Sequence, residues 1–221
     1  MTDGQGAGVI FDIDGTLADT NFLHAVAWRR AFVENGFDVP TAWVHRMVGA
    51  GSDVLMTELV GREVAEVKTA WRHHFGALKG EIRALPGAGD VLRAVARRGL
   101  TVALASSSEE EDLEPLLRAV DADDVISAVT SAGDVDDAKP SPEVFEAALA
   151  KAELDAGSAI VVGDTGWDVE AAARCGLRCI GVLTGGVSRG ELLDAGAAAV
   201  FRDVSELRER LDESPIATLT R

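Results

Sequence analysis

The segment Val9-Ile-Phe-Asp-Ile-Asp-Gly-Thr16 decides the fold, because an apolar run ends there in two carboxylates and a glycine. Apolar runs without polar alternation are typical of strands that are buried on both faces of a parallel sheet. Asp12 and Asp14 follow this run directly, where burial of a carboxylate without a partner costs free energy. We therefore predict a first strand that carries two functional carboxylates at its carboxyl end.

Four further apolar runs follow the same pattern, and amphipathic helical stretches separate them. Because strands and helices alternate, the sequence predicts an α/β fold with a Rossmann-like parallel sheet and helices on both faces. A weaker strand candidate covers 125–129. The four runs are 101–105, 159–162, 178–183 and 198–201.

The interval from 20 to 83 interrupts this alternation, because its pattern is helical throughout and it holds all four histidines. We predict an inserted helical cap domain over 20–83, and a core domain made of 1–19 and 84–221. The loop 45–53 of the insert contains two glycines and is expected to face the substrate. Three tryptophans are expected to form the core of the cap: Trp28, Trp43 and Trp71.

The bulk composition limits the partners and the location of the chain. Its formal net charge of −16 repels nucleic acid and anionic membranes, so we expect neither as a partner. No apolar stretch approaches the ~20 residues that a membrane helix needs. The N-terminus shows no signal peptide, and Cys175 and Cys179 lack the spacing of a zinc site or a disulfide framework. These features predict a cytoplasmic protein, with a tail after Leu211 that frays.

Polar side chains follow several predicted strands and converge at one edge of the sheet. In open parallel sheets, ligands bind beyond the carboxyl ends of the strands. Carboxylates crowded at such a point repel one another, and Mg²⁺ with oxygen ligands is the usual remedy. The metal would neutralise a phosphate group beside a carboxylate nucleophile, and a lysine would add a point charge. The converging residues are Asp12, Asp14, the serines at 106–108, Lys139, Asp164 and Asp168.

Four short motifs carry these residues: Asp-Ile-Asp-Gly-Thr at 12–16, Ala-Ser-Ser-Ser at 105–108, Lys139-Pro140 and Gly-Asp-Thr-Gly-Trp-Asp at 163–168. In order and spacing they resemble the haloacid dehalogenase-like (HAD) hydrolase superfamily, and the match covers nearly the whole chain. With its helical cap, the chain is similar to the phosphoglycolate phosphatase and beta-phosphoglucomutase-like subgroup. The resemblance implies a Mg²⁺-dependent phosphatase that hydrolyses a small-molecule phosphomonoester.

The resemblance also implies a role for each matching acid. Asp12 would be the nucleophile that forms an aspartyl-phosphate, and Asp14 would protonate the leaving group and then deprotonate the attacking water. One of these carboxyl groups must be ionised and the other able to carry a proton, so their surroundings must differ. Mg²⁺ would be held by Asp12, by the backbone carbonyl of Asp14 and by Asp164. Asp168 would contact the metal directly or through water, or would only stabilise a helix N-terminus.

The same resemblance assigns the groups that hold the phosphate. Ser106 would bind phosphate and Lys139 would be the anchoring cation. Gly15 would allow close backbone approach, and Thr16 would begin the loop that leads to the insert. We count Gly15, Thr16 and Ser107 as substrate-binding candidates. Ser107 and Ser108 are also expected to cap the acidic helix that follows them.

Two residues of the insert are candidates for substrate contact. His24 either touches the substrate or packs as a half-buried histidine against Trp28, which lies four residues later on the same helix face. Arg46 is the basic residue within the loop 45–53, where it either meets a second anion or stays solvated.

Single residues distinguish a phosphatase from enzymes of the same superfamily that catalyse related reactions. Asp14 favours phosphorus chemistry, because the haloacid dehalogenases proper replace this aspartate. A phosphonatase needs a cap lysine, and Lys68 and Lys79 lie outside the loop near Arg46, which makes that reaction doubtful.

A beta-phosphoglucomutase has a Glu-Asp pair where this chain has Gly163-Asp164, and a cap arginine where it has Ser52. Both differences weaken the mutase hypothesis. The leading hypothesis is a phosphatase, and the alternatives are a phosphomutase or a non-catalytic phospholigand-binding module. The chain can be a monomer or a homodimer.

Overall fold

A parallel sheet lies at the centre of the computed structural model, which describes residues 6–219. Its strands are β1 (Gly6–Asp12), β2 (Thr101–Ala105), β3 (Ala128–Thr130), β4 (Leu154–Gly163), β5 (Arg178–Val182) and β6 (Ala199–Phe201). The six strands are ordered β3-β2-β1-β4-β5-β6, and every pairing is parallel. The predicted α/β fold with a Rossmann-like sheet is confirmed. Residues 1–5 and 220–221 of the predicted core domain lie outside the described residues.

Helices connect the strands and cover the sheet. The α-helices are α1 (Asn21–Glu34), α2 (Thr41–Met47), α3 (Ser52–Val60), α4 (Ala65–Gly76), α5 (Ala88–Arg97), α6 (Glu110–Val120), α7 (Glu143–Lys151), α8 (Gly166–Arg174), α9 (Arg189–Asp194) and α10 (Val204–Glu209). Short 3₁₀-helices cover Lys79–Glu81, Ala132–Asp134, Leu183–Gly185, Leu211–Glu213 and Pro215–Thr218.

The strand β1 occupies the position that organises the site. It pairs with β2 on one side and with β4 on the other, so the direction of winding reverses beside it. Asp12 lies opposite Ala105 of β2, and Phe11 lies opposite Val162 of β4. The residues that follow these three strands therefore emerge at one level, at the crevice where open parallel sheets bind ligands.

The core lies on both faces of the sheet, as the unbroken apolar runs predict. Val9 and Phe11 of β1 pack into the cluster that contains the side chains of α5 and α10. Ile10, which points to the opposite face, packs into a second cluster with residues of α7 and α8.

The helices α1 to α4 form the insert between β1 and α5, and they carry an apolar cluster of their own. Trp28, Phe32, Leu55 and Val67 are buried in this cluster. It supports the predicted division into a cap over 20–83 and a core, whose boundaries stay a prediction. Trp28 and Trp71 stack with ring centroids 4.9 Å apart. The prediction for Trp43 is wrong, because its side chain is 63% exposed on the short helix α2.

The tail after Leu211 does not fray within the described residues. Leu211 and Ile216 are buried, and the hydroxyl of Ser214 donates to the Leu211 carbonyl at 2.8 Å. This hydrogen bond joins the two short 3₁₀-helices Leu211–Glu213 and Pro215–Thr218, which both pack on the core. Cys175 and Cys179 are both free thiols. Within residues 6–219, no helix combines the length and the apolar character that crossing a membrane needs.

Candidate active site

A lysine and three aspartates meet, all buried, at the carboxyl end of the sheet. Asp12 ends β1, Asp164 follows β4, and Asp168 lies in the first turn of α8. Carboxylate oxygens of the three aspartates lie within 4.8 Å of one another. Lys139 approaches from the loop before α7, with Nζ 2.5 Å from Asp12 Oδ1 and 2.7 Å from Asp168 Oδ1.

The electrostatics of this group show that Lys139 alone does not neutralise the three buried aspartates. Burial and the neighbouring carboxylates of Asp168 and Asp14 raise the pKa of Asp12 to about 7, although Lys139 pulls it down. Burial and repulsion from Asp168 and Asp12 raise the pKa of Asp164 well above its ordinary value. Three buried carboxylates against one ammonium leave an excess of negative charge.

The residues fit a hard divalent cation. Clustered carboxylate oxygens are the ligands that Mg²⁺ uses, and a positive ion would relieve the repulsion that raises the pKa of Asp12 and Asp164. The sulfur and imidazole ligands that favour zinc do not belong to the cluster that the described residues form. Asp12, Asp164 and Asp168 are therefore the residues that could hold Mg²⁺.

Asp164 is oriented by the residues that follow β1. The hydroxyl of Thr16 donates to Asp164 Oδ1 at 3.0 Å, and the amide of Asn21 donates to Oδ2 at 2.7 Å. Gly15 has φ +78°, and a Cβ there would lie 2.4 Å from the side chains of Asn21 and Asp164. Only glycine fits this position. Gly15 and Thr16 both lie against Asp164, and their predicted contact with the substrate stays a prediction.

Asp168 stabilises the N-terminus of α8, and its predicted contact with the metal stays a prediction. Its Oδ2 accepts hydrogen bonds from the backbone N–H of Thr165 at 3.0 Å and from the Thr165 hydroxyl at 2.7 Å, which completes a capping box at the start of α8. Its Oδ1 faces Lys139. Helix capping and the acid cluster thus use different oxygens of the same side chain.

Asp14 lies in a different environment from Asp12. It accepts hydrogen bonds from the hydroxyls of Thr20 at 2.7 Å and Ser108 at 2.9 Å, and His24 Nε2 lies 3.2 Å from Oδ1. Burial alone would raise the pKa of Asp14, but His24, Thr20 and Ser108 hold it at about 2. Asp14 is therefore ionised at neutral pH before a substrate enters, and it must gain a proton to act as an acid.

The three serines after β2 have three different surroundings. Ser106 is fully buried, and its hydroxyl accepts from the Ser108 N–H at 3.0 Å and lies 3.4 Å from Asp14 Oδ2. The Ser107 hydroxyl is buried, finds no hydrogen-bond partner within residues 6–219, and lines the cavity beside Asp14. The expected capping is wrong, because α6 starts after Glu109 without a side-chain cap.

The contacts of two insert residues, His24 and Arg46, differ in part from those predicted. His24 packs face to face with Phe75, with ring centroids 4.1 Å apart, whereas one alternative expected packing against Trp28, and it also contacts Asp14. Arg46 does not reach the cavity of Asp12, because it pairs with Glu191 of α9 on the surface. Its pairing with a residue 145 positions later could not be read from loop composition.

A cavity of about 510 Å³ opens above Asp12 and Asp14, between the sheet and the insert. The loop 48–51, between α2 and α3, and the first two residues of α3 form part of its wall, and Gly51 N–H donates to the Lys139 carbonyl at 3.0 Å. Lys68, which was not among the predicted site residues, also lines this cavity. The support that Thr20 and Asn21 give to the acids was not predicted, although polar residues at the N-cap and first position of α1 were a visible signal.

Comparison with known proteins gives consistent results. Residues 9–182 match the family described as haloacid dehalogenase-like hydrolase. The chain is 31% identical over 196 residues to a phosphoglycolate phosphatase from Yersinia pestis, which covers 84% of each chain. It is 29% identical to the protein CbbY from Cereibacter sphaeroides, over 90% of this chain and 93% of the relative. A hydrolase from Pseudomonas syringae superposes with a TM-score of 0.88 at 30% identity, covering 94% and 98% of the two chains.

Proposed function

Because the chain belongs to the haloacid dehalogenase-like hydrolase family and is a phosphatase of that family, we propose that it hydrolyses a small phosphomonoester through an aspartyl-phosphate on Asp12, with Mg²⁺ as its cofactor. The observation that carries the proposal is the contact of Lys139 with Asp12 inside the acid cluster. A buried ammonium favours the ionised form of this carboxylate, and its contact holds the carboxylate in position for attack.

In the first step, a carboxylate oxygen of Asp12 attacks phosphorus, and the bond from phosphorus to the leaving oxygen breaks. Asp14 gives its proton to that oxygen, so the product leaves as an alcohol. A phosphate group beside Asp14 adds negative charge, which raises the pKa of a neighbouring carboxyl group and lets Asp14 take up that proton beforehand.

In the second step, water attacks the phosphorus of the aspartyl-phosphate and Asp14 accepts the proton of the water. Inorganic phosphate leaves and the carboxylate of Asp12 is restored. Lys139 lies against both Asp12 and Asp168, so its charge offsets that of the phosphoryl oxygens in both steps. Bound by Asp12, Asp164, Asp168 and the backbone carbonyl of Asp14, Mg²⁺ would supply further charge neutralisation.

The phosphate itself needs donors that are free to reach it. The Ser107 hydroxyl is unpaired within the described residues and lies in the cavity wall, which supports its substrate-binding role. The buried Ser106 hydroxyl supports phosphate binding less directly, since it also supports Ser108 and Asp14. The cytoplasmic location and the choice between monomer and homodimer stay predictions.

We predict Mg²⁺-dependent release of inorganic phosphate from one of a panel of small phosphate esters. The panel should contain 2-phosphoglycolate, after the related phosphatase, together with sugar phosphates and nucleotides. We expect kcat/KM of at least about 10⁴ M⁻¹s⁻¹ for the best substrate, and no turnover after removal of the metal with EDTA.

The same assay separates the alternatives. A phosphomutase would isomerise a hexose phosphate in the presence of a bisphosphate activator and release little free phosphate. A non-catalytic module would bind phosphate esters without consuming them. Absence of hydrolysis of every ester in the panel, with Mg²⁺ bound, would contradict the proposal.

A second prediction concerns metal binding and pH. A carboxyl group whose pKa is raised on folding stabilises the fold below its unfolded pKa, and this stability is lost as pH rises through the folded pKa. For Asp12 the folded pKa is about 7 against an ordinary value of 3.8, so metal-free protein should lose stability between these two values. Mg²⁺ needs the ionised carboxylate, so it should raise the melting temperature more at about pH 8 than at about pH 5.5.

Calorimetry with Mg²⁺ or EDTA at the two pH values tests this prediction. Asp164→Asn should abolish most of the Mg²⁺-dependent shift, whereas Asp19→Asn, at an exposed aspartate between β1 and α1, should leave it unchanged. An equal shift at both pH values, or a shift retained by Asp164→Asn, would count against the proposed metal site.

A further inference from the structure

We propose that Lys68 recognises a second anionic group, a carboxylate or a phosphate, on the leaving-group side of the substrate. This inference rests on the proposed function and names the substrate class of the same site. Lys68 lies on α4 of the insert and lines the cavity that contains Asp12 and Asp14.

Lys68 lies on the face of α4 that lines the cavity of Asp12 and Asp14. Its neighbours Val67 and Ala70 are buried in the apolar cluster of the insert, on another face of the helix. Trp71 lies three residues later, and residues with this spacing share a helix face. Lys68 and Trp71 both line the cavity. The helix therefore presents an ammonium and an indole ring together to the substrate.

A chain of contacts places this face beside the leaving group. Trp71 stacks on His24 with ring centroids 5.9 Å apart, and His24 Nε2 lies 3.2 Å from Asp14 Oδ1. Asp14 is the proposed proton donor to the leaving group. Lys139, in contrast, contacts Asp12, the attacking group. The wall from Asp14 through His24 and Trp71 to Lys68 thus follows the part of the substrate that departs.

Lys68 is also the lysine whose charge is free. Lys79 pairs with Asp112, Lys139 pairs with Asp12, and Lys151 pairs with Asp134 at 2.7 Å. The ammonium of Lys68 makes no ion pair or hydrogen bond within residues 6–219, although the chain carries a net charge of −16. An ammonium that faces a cavity without an acidic partner is available to an incoming anion.

The other residues that line the cavity limit how many negative charges the substrate can carry. Asp53, Glu63, Asp136 and Asp137 also line the cavity, and their carboxylates disfavour an extended polyanion. A cavity of about 510 Å³ suits a small ligand. We infer a short phosphomonoester with one further anionic group, which Lys68 binds.

The experiment compares matched substrates that differ in the second group alone. For the carboxylate, 2-phosphoglycolate is compared with 2-hydroxyethyl phosphate. For the phosphate, 1,3-propanediol bisphosphate is compared with 3-hydroxypropyl phosphate. Each pair is assayed on wild type, Lys68→Gln, Lys68→Arg and the control Arg62→Gln. Arg62 is an exposed cation of the insert that makes no ion pair within the described residues and does not line the cavity.

We expect wild type to prefer the member with the second anion in one of the two pairs, which identifies the anion. Lys68→Gln should raise KM for that member by about 10- to 100-fold, as loss of a charge-assisted contact does. It should leave kcat, and both constants for the neutral partner, within about twofold. Lys68→Arg should retain most of the preference, which a Schiff-base role of this lysine would not allow, and Arg62→Gln should behave as wild type.

Three outcomes would overturn the inference: equal losses for both members of a pair, an unchanged KM in Lys68→Gln, or a wild type that prefers the neutral partners. Calorimetric binding of the same substrates to Asp12→Asn, with and without Lys68→Gln, provides the comparison without turnover. If Lys68 sets the binding preference but wild type hydrolyses none of the esters, the proposed function fails and the inference on Lys68 stands.

Discussion

Asp12→Asn should lower phosphatase turnover by at least about 10⁴-fold, because no other carboxylate in the site occupies the position of the nucleophile. Asp14 is turned toward Thr20 and Ser108, and Asp164 is held by Thr16 and Asn21. Neither can replace Asp12 without breaking those hydrogen bonds. An amide in place of the carboxylate keeps the shape of the side chain and removes its nucleophilic oxygen.

The fold should survive this substitution. Burial and repulsion already raise the pKa of Asp12, so a neutral side chain relieves a strained charge, and Lys139 keeps its contact with Asp168 at 2.7 Å. We expect a melting temperature within a few degrees of wild type, which separates loss of chemistry from loss of structure.

Steady-state release of phosphate and rapid-quench mass spectrometry together check this prediction. Wild type should show a transient phosphorylated chain and Asp12→Asn should not. Asp19→Asn removes an exposed carboxylate seven residues later and should keep wild-type activity. Substantial turnover by Asp12→Asn would refute the mechanism, because the covalent step has no other acceptor.

The sheet and the acid cluster were predictable from sequence for a geometric reason. Parallel strands end at the same edge, so acids that follow separate apolar runs must come together whatever the connecting helices do. Asp12 and Asp164 follow β1 and β4, which are neighbours in the sheet. The positions of the strand ends alone predict that these acids lie close together. The order of the strands in the sheet is not needed for that prediction.

The contacts of the insert were not predictable in the same way, because they depend on how its helices pack on the core. Arg46 was expected near the substrate and instead pairs with Glu191, while Lys68 was set aside because it lies outside the loop and yet reaches the cavity. Loop composition identifies which segment is adaptable. It does not tell which helix face will point inward.

Local rules also failed where a tertiary partner competed with them. A serine before an acidic helix is a good helix cap, but the N-cap position of α6 is Glu109, one residue after Ser108. Its hydroxyl donates to Asp14 instead, which lies 94 residues earlier in the sequence. A hydrogen bond to a carboxylate is stronger than one between neutral groups, so it holds Ser108 at the site, while α6 starts without a side-chain cap.

Lys139→Met should cause the largest loss of stability among the substitutions considered. The ammonium is almost completely buried and lies against Asp12 and Asp168, so its removal leaves buried carboxylates without a cation. Removing one partner of a buried ion pair costs about 3–5 kcal/mol of unfolding free energy. Turnover should fall by about 10²–10³-fold or more, since a charge that stabilises the reacting phosphate is lost.

The loss should depend on pH in a defined direction. Lys139 lowers the pKa of Asp12, so without it that pKa rises further above its ordinary value of 3.8. A raised carboxyl pKa stabilises the fold at low pH and this stability is lost as pH rises. Lys139→Met should therefore be much less stable than wild type at about pH 8, and closer to it at about pH 5.5, where the carboxyl groups can bind protons.

Urea unfolding of EDTA-treated protein at both pH values measures this difference. Lys151→Met is the matched control, because Lys151 also pairs with an aspartate, Asp134, but on the surface, where an ion pair contributes little. Equal stability of the two variants at about pH 8, or a loss that does not change with pH, would show that the buried carboxylates do not depend on Lys139. Mg²⁺ should restore part of the stability of Lys139→Met but not its turnover, because a cation can offset the repulsion without holding Asp12 in position for attack.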